Sequence, residues 1–373
     1  MKPAKLYIHV PFCHAKCAYC DFYSTPQAKW MDGYVDAVIN EWNYRRKSAP
    51  DGIDTIYLGG GTPSSLPTAL LRKLIDALPT DNALKEFTIE VNPEDVTDDW
   101  VRLIANDTTI DRVSMGIQSF SDEELNLITR RHNAMEAENA YLRLRSGGIT
   151  NISCDLIYGL PGQSLDSWKM TLDRLIKLRP EHISAYNLSY EEGTRLHAML
   201  STGKITETDE DTIFAMYHYL CDTLRAAGYL HYEISNFSLP GKQAVHNSAY
   251  WDGSPYIGLG PGAHSWDGTA RSYNPSNLKA YIAANGIGLG VTEEETFDNR
   301  FNDVLMTALR TAKGLNLSTL TDKFGDAAVK EMLKEVPLLI EKGYLQYTSP
   351  DNLIIPEKHW LISNSILLPL IRV

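Results

Sequence analysis

The chain has 373 residues, 43% of them hydrophobic and 22% charged, with 35 Lys and Arg against 47 Asp and Glu for a net charge of −12. That composition excludes a disordered or collagen-like chain, and the length suits about two domains with a sizeable core. The acidic balance, with a pI near 5.3, argues against nonspecific nucleic-acid binding, which rests on Lys and Arg against phosphates.

Short β-branched runs alternate with amphipathic stretches over most of the chain. The pattern predicts strands over 6–10, 55–58, 87–91, 112–116, 152–157 and 182–188. Between them it predicts helices over 31–46, 69–77, 98–105, 122–129, 135–145 and 165–178. Strand–helix alternation implies a parallel sheet. Six such units in series fit an α/β fold, a partial (β/α)6 relative of the eight-unit barrel. Residues that carry chemistry in that architecture sit where strands end and loops begin. From 208 to 299 the pattern loosens, with one strong helix over 211–227 and then a region rich in Gly, Pro, Asn and Tyr. From 300 onward, helices over 301–310, 318–324 and 327–342, a hairpin over 343–347 and 352–355, and a final helix over 356–370 outline a winged-helix-like α+β domain. The expected division is therefore 1–207, 208–299 and 300–373. The last domain holds nine Lys and Arg against eight Asp and Glu, so it reads as a packing or lid domain rather than a DNA reader. Its final helix is too short to span a bilayer and carries Ser363, Asn364 and Ser365, so core packing is expected over membrane contact. No apolar run reaches the ~20 residues of a membrane span, and Met1 to Leu6 has no secretory-type apolar stretch. The expected location is the cytoplasm, with peripheral membrane association left open.

Five cysteines in so long a chain do not suggest a disulfide framework. Cys13, Cys17 and Cys20 follow the first strand closely, while Cys154 and Cys221 stand alone and read as small buried hydrophobes. Three thiolates in a CX3CX2C spacing can hold three corners of one cuboidal iron–sulfur cluster. No fourth cysteine lies nearby, which leaves one iron open to another ligand. Zinc is the rival, but structural zinc needs four closed ligands, usually from two separated pairs. Only His14 is at hand to complete such a set.

Further polar residues cluster at predicted strand ends. Gly59-Gly60-Gly61-Thr62-Pro63 follows the second strand, where glycine lets backbone approach a ligand closely; a tight turn is the bland reading. Glu90 ends the third strand, Gln118 the fourth, and Arg130-Arg131-His132 comes shortly after. Asp155 sits inside an otherwise apolar strand, a costly place for an acid without a partner. A ligand hydroxyl or amide would satisfy it, as would a backbone network.

Taken together, these features resemble the radical S-adenosylmethionine (SAM) superfamily. The resemblance implies a [4Fe–4S] cluster on Cys13, Cys17 and Cys20, with SAM chelating the fourth iron through its amino and carboxylate groups. One-electron reduction would then cleave SAM to a 5′-deoxyadenosyl radical and methionine. It further implies SAM contacts from Tyr7, Tyr19, Gly60, Gly61, Thr62, Glu90, Gln118, Arg130 and Asp155. The strings Leu6-Tyr7-Ile8-His9-Val10-Pro11-Phe12-Cys13, Gly61-Thr62-Pro63, Gly116-Ile117-Gln118-Ser119-Phe120 and Asp155-Leu156-Ile157-Tyr158-Gly159-Leu160-Pro161 narrow the match. They are similar to the subfamily of oxygen-independent coproporphyrinogen III oxidase (HemN) and its heme-chaperone paralogues (HemW), over nearly the whole chain. The oxidase pattern has a further cysteine where this chain has Phe22, and an N-terminal extension that a first strand starting at residue 6 leaves no room for. The chaperone branch carries HNxxYW, present here as His246-Asn247-Ser248-Ala249-Tyr250-Trp251. A neutral imidazole beside aromatic rings can ligate heme iron, so His246 is the candidate heme ligand and His264 the second; a hydrogen-bonded structural histidine is the bland reading. The expectation is a chaperone that takes heme as cargo and hands it to an acceptor hemoprotein, membrane-bound acceptors included. No nucleic-acid partner and no catalytic residue is expected, and a homodimer stays open. The alternative is a radical SAM oxidase that decarboxylates porphyrinogen propionates.

Overall fold

Six strand–helix units in series build the larger part of the molecule, and the computed structural model describes residues 3–79 and 84–372. In chain order, β1 (Ala4–Val10) leads to α1 (Met31–Arg45), β2 (Ile53–Gly60) to α2 (Thr68–Asp76), and β3 (Glu86–Val91) to α3 (Asp98–Asp107). β4 (Arg112–Gln118) leads to α4 (Asp122–Leu127) and α5 (Ala134–Ser146), and β5 (Ile152–Tyr158) to α6 (Leu165–Leu178). β6 (His182–Asn187) leads to α7 (Arg195–Ser201) and α8 (Glu210–Ala226). β1 to β6 pair in parallel and in sequence order, and no pairing among the described residues closes them into a full barrel. Thr97, Ser121, Asn133, Ser164 and Asp209 cap the helices that follow them, each accepting from a backbone N–H of the first turn. Such caps contribute about 1 kcal/mol each. α4 stops short of the predicted boundary because Thr129 takes a left-handed φ of 58°.

Alternate residues of the strands meet two environments. Leu6, Ile8, Ile56, Leu58, Ile89 and Val113 are fully buried in the apolar core shared with the helices. The other face carries polar groups in register: Thr88 beside Arg112, Glu90 beside Ser114, Gly116 beside Asp155, and Asp155 beside Ser184. A parallel sheet with helices on both faces would be apolar on both. The polar face is therefore the side that holds the site.

The region from 208 to 299 is more regular than predicted. It contains β7 (Leu230–Glu233), β8 (Asn236–Ser238), α9 (Val245–Trp251), β9 (Tyr256–Leu259), β10 (His264–Trp266), β11 (Arg271–Tyr273), α10 (Leu278–Ala283) and β12 (Val291–Glu293). These strands extend the same sheet at both edges, in the order β12-β11-β10-β9-β1 on one side and β6-β8-β7 on the other. α9 sits against the strands' starting ends. The Glu86 carboxylate accepts from the backbone N–H of Val245 at 2.8 Å and of His246 at 3.0 Å, an acid at a helix N-terminus.

The remaining elements are α11 (Phe297–Ala308), β13 (Leu315–Asn316), α12 (Leu317–Phe324), α13 (Asp326–Met332), α14 (Val336–Glu341), β14 (Gln346–Ser349), β15 (Asn352–Ile354) and α15 (Ser363–Leu367). β13, β15 and β14 form an antiparallel sheet beside the helices, the winged-helix outline. The helix expected over 327–342 is two helices. Pro337 falls in the first turn of α14, where its missing N–H is tolerated and a continuing helix is not. The helix expected over 356–370 is also broken, into 3-10 turns at Glu357–Ile362 and Leu368–Leu370 around α15. Trp360, Ile366, Leu367 and Leu370 are buried, so this segment packs into the core. No described helix is long and apolar enough to cross a membrane.

Candidate functional site

The cysteines lie on the loop between β1 and α1, and backbone bonds pin that loop over the strand ends. Cys13 N–H donates to Thr25 O at 3.2 Å, Ala18 N–H to Ile128 O at 3.0 Å, and Leu196 N–H to Ala18 O at 2.8 Å. Cys13, Cys17 and Cys20 all line one cavity of about 480 Å³, a size that suits a cofactor. None is in a disulfide. Cys13 Sγ lies 3.3 Å from Thr62 Oγ1. Burial pushes the Cys13 thiol up and the Cys20 thiol to about 11.

Gly60, Gly61 and Thr62 reach the same cavity from the end of β2, and Glu90 from β3. Glu90 Oε1 accepts from Tyr57 Oη at 2.8 Å and Oε2 from Gly60 N–H at 3.2 Å. Burial nevertheless raises the Glu90 carboxyl to about 7, and the nearby charge of Asp155 adds to the rise. The glycines make this approach possible. A Cβ on Gly59 would stand 2.9 Å from Glu90 Oε1, and Gly60 has a φ of +109° with His9 Nδ1 2.5 Å from where its Cβ would be. Both positions exclude a side chain.

Gln118, Arg130 and Asp155 line the cavity too, with Tyr19 on the cysteine loop. Gln118 has a φ of 69° beside a register shift between Gly116 and Gln118. Left-handed backbone in a non-glycine residue stores strain, and the bulge re-aims the side chain at the strand end. Asp155 accepts from Ser114 Oγ at 3.2 Å and Ser153 Oγ at 3.5 Å, yet burial still raises its carboxyl above the ordinary range. Arg130 donates to Asn92 Oδ1 at 2.7 Å, Gly116 O at 2.6 Å and Cys17 Sγ at 3.5 Å. Its Nε is buried without a partner, a donor that a ligand could satisfy.

Three expected residues are not part of this cavity's lining. Tyr7 is hydrogen-bonded to His9 Nδ1 at 3.1 Å. His246 is buried at the strands' starting ends, with Nδ1 2.8 Å from Thr55 Oγ1 and Nε2 3.0 Å from Tyr250 Oη. Burial lowers its pKa to about 3, with Lys5 and Arg112 adding to the shift. A heme iron at His246 would have to displace one of these two hydrogen bonds, one buried and one part-buried. His264 is exposed on β10 with its ring stacked on Tyr273, centroids 5.3 Å apart.

Asn92, Ser114 and Tyr186 also line the cavity and were not singled out from sequence. Asn92 Nδ2 donates to Thr62 Oγ1 at 3.0 Å, linking the glycine turn to Arg130. Their common signal is a polar residue on the inner face of a strand or just past its end. The donor set fits a [4Fe–4S] cluster, with three thiols and no fourth cysteine lining the cavity. Two half-buried acids, the glycine turn and the Arg130 Nε fit a polar nucleoside-amino acid beside it. His14 Nε2 pairs with Asp95 at 3.5 Å, which leaves zinc poorly provided with ligands.

Residues 7–175 match the radical SAM superfamily. Heme chaperone HemW of Lactococcus lactis subsp. lactis is 31% identical, over 98% of this chain and 96% of its own. HemW of Bacillus subtilis is 32% identical, over 96% and 97%. Among solved structures, coproporphyrinogen III oxidase (HemN) from Escherichia coli, a radical SAM enzyme, shares the fold with a TM-score of 0.82 at 23% identity, over 99% of this chain and 90% of that one.

Proposed function

The chain belongs to the HemW family of the radical SAM superfamily, and on that premise we propose that it is a heme chaperone. In this reading it binds heme, holds a [4Fe–4S] cluster with SAM, and passes heme to an acceptor hemoprotein, working in the cytoplasm. The observation that carries it is the end-to-end match to HemW relatives. Phe22 supports it: this side chain is 62% exposed at the cavity mouth, where the oxidase pattern has a cysteine.

Cys13, Cys17 and Cys20 are the three ligands of the cluster, and the cluster when bound supplies one-electron chemistry. Glu90 and the Gly60-Gly61 backbone take the polar end of SAM. Asp155 and Gln118 take its hydroxyl or amino groups. Arg130 ties Asn92, Gly116 and Cys17 together and so fixes the cysteine loop relative to β3 and β4.

Two anaerobic assays on cluster-loaded protein test the proposal. One follows heme uptake, and the other follows coproporphyrinogen III with SAM and a reductant. Heme uptake without porphyrinogen turnover is expected. Turnover without heme uptake would replace the chaperone by the oxidase.

A further inference from the structure

A second ligand-sized cavity, about 430 Å³, lies between α9, the end of β7 and the C-terminal helices α11 and α12. It is remote from the cysteine loop: α9 stands on Thr55 and Glu86 at the starting ends of the strands, whereas the cysteines cover their far ends. Val304, Ala308, Leu315, Leu320 and the Trp251 indole give it largely apolar walls. Trp251 Nε1 is buried without a hydrogen-bond partner. Lys313 and Lys323 line the cavity and are exposed.

The two sides of α9 have different duties. His246 and Ala249 are buried, and His246 fastens the helix to β2 through Thr55. Ser248 and Trp251 line the cavity. The histidine of the string is thus an anchor, and the tryptophan is a wall.

We infer that this second cavity is where heme is carried, an inference that rests on the heme-chaperone reading. Heme is a flat apolar macrocycle with two carboxylates at one edge. Apolar walls and an indole suit its faces, and two exposed ammonium groups suit its carboxylates. Two acids also line the cavity, but each has a partner of its own: Glu233 accepts from Asn236, and Asp252 from Ser254. Among the described residues no His, Cys or Met lines the cavity, and its one phenol, Tyr232, is already hydrogen-bonded to His182 Nε2 at 2.7 Å. The iron therefore meets no strong nitrogen or sulfur ligand there, which suits a cargo that has to leave. The site recognises the porphyrin and its carboxylates rather than the metal.

The test is a titration of full-length, cluster-loaded protein with heme and, separately, with metal-free protoporphyrin IX. Wild type is compared with Trp251→Ala, with the double charge reversal Lys313→Glu/Lys323→Glu, and with His246→Gln. Metal-free protoporphyrin should bind within about threefold of heme, because no axial bond is lost. Trp251→Ala and the double reversal should each weaken both ligands about tenfold, or 1.4 kcal/mol. His246→Gln should leave affinity within about threefold, and cluster absorbance should not change on heme binding. Both lysines are exposed, so their reversal should not disturb folding, which an unchanged thermal midpoint verifies. Saturable heme binding that ignores both cavity variants overturns this location and leaves the chaperone reading standing. So does heme binding that collapses without iron, which would demand an axial ligand. No saturable heme binding by wild type overturns the reading and the location together.

Discussion

Raising the pH from 6 to 8 should tighten SAM binding about tenfold through Glu90. Burial, followed by the charge of Asp155, holds this carboxyl at about 7 instead of 4.5, against hydrogen bonds from Tyr57 and Gly60. An amino group donates its hydrogens, which a carboxylate accepts on both oxygens; the protonated acid has one oxygen committed as a donor. With a midpoint near 7, about a tenth of the molecules carry the carboxylate at pH 6 and about nine-tenths at pH 8. Stability moves the other way. The folded pKa lies above the unfolded one, so this group's contribution is complete below about 4.5 and is lost as the pH rises through about 7. That interval corresponds to about 3 kcal/mol. Ligand-free protein should therefore lose thermal stability toward pH 8, and SAM should restore it. The assay is a SAM titration of cluster-loaded protein at pH 6, 7 and 8, beside Glu90→Gln. The variant should show a flat profile. A wild-type affinity that ignores pH, or the same slope in the variant, refutes the reasoning.

Other outcomes follow from the same geometry. Cys17→Ala should abolish cluster absorbance while the chain stays soluble; unchanged iron content would remove Cys17 from the ligand set. Asp155→Asn should weaken SAM binding about tenfold, the effect of one buried charged hydrogen bond, and leave the cluster in place; equal SAM affinity would take Asp155 out of the site. Gly60→Ala should lower the melting midpoint by several degrees, since it adds left-handed strain of about 1–3 kcal/mol and a Cβ at 2.5 Å from His9. His246 has its pKa lowered by burial from 6.5 to about 3, so its contribution to stability is present above about 6.5 and falls away as the pH drops toward 3. His246→Gln should lose part of that acid sensitivity, as thermal scans between pH 7 and pH 4 would show.

The six strand–helix units were legible because their helices are amphipathic and their strands β-branched, and α6 runs over Leu165–Leu178 as predicted. The cysteine loop and the polar strand ends were legible by position, since the barrel places chemistry there. The finer layout of the inner face was not. Thr88, Arg112, Ser114 and Ser153 read as ordinary interruptions until pairing puts them in register. β8, β10, β11 and β12 are three residues each, too short for alternation to register, so the edges of the sheet read as irregular. His246 is hydrogen-bonded to Thr55, 191 positions earlier in the chain, a contact that no local string can show. The break at Pro337 was visible in the sequence and was overridden by the apolar periodicity on both sides of it.

The central claim is that heme is carried and given up. Its most direct test loads the chain with one equivalent of heme, mixes it anaerobically with a heme-free acceptor hemoprotein, and follows the Soret band. The account predicts saturable loading at one heme per chain and transfer that tracks the acceptor concentration. Heme that never binds above a nonspecific control, in protein that decarboxylates coproporphyrinogen III with SAM, would contradict it.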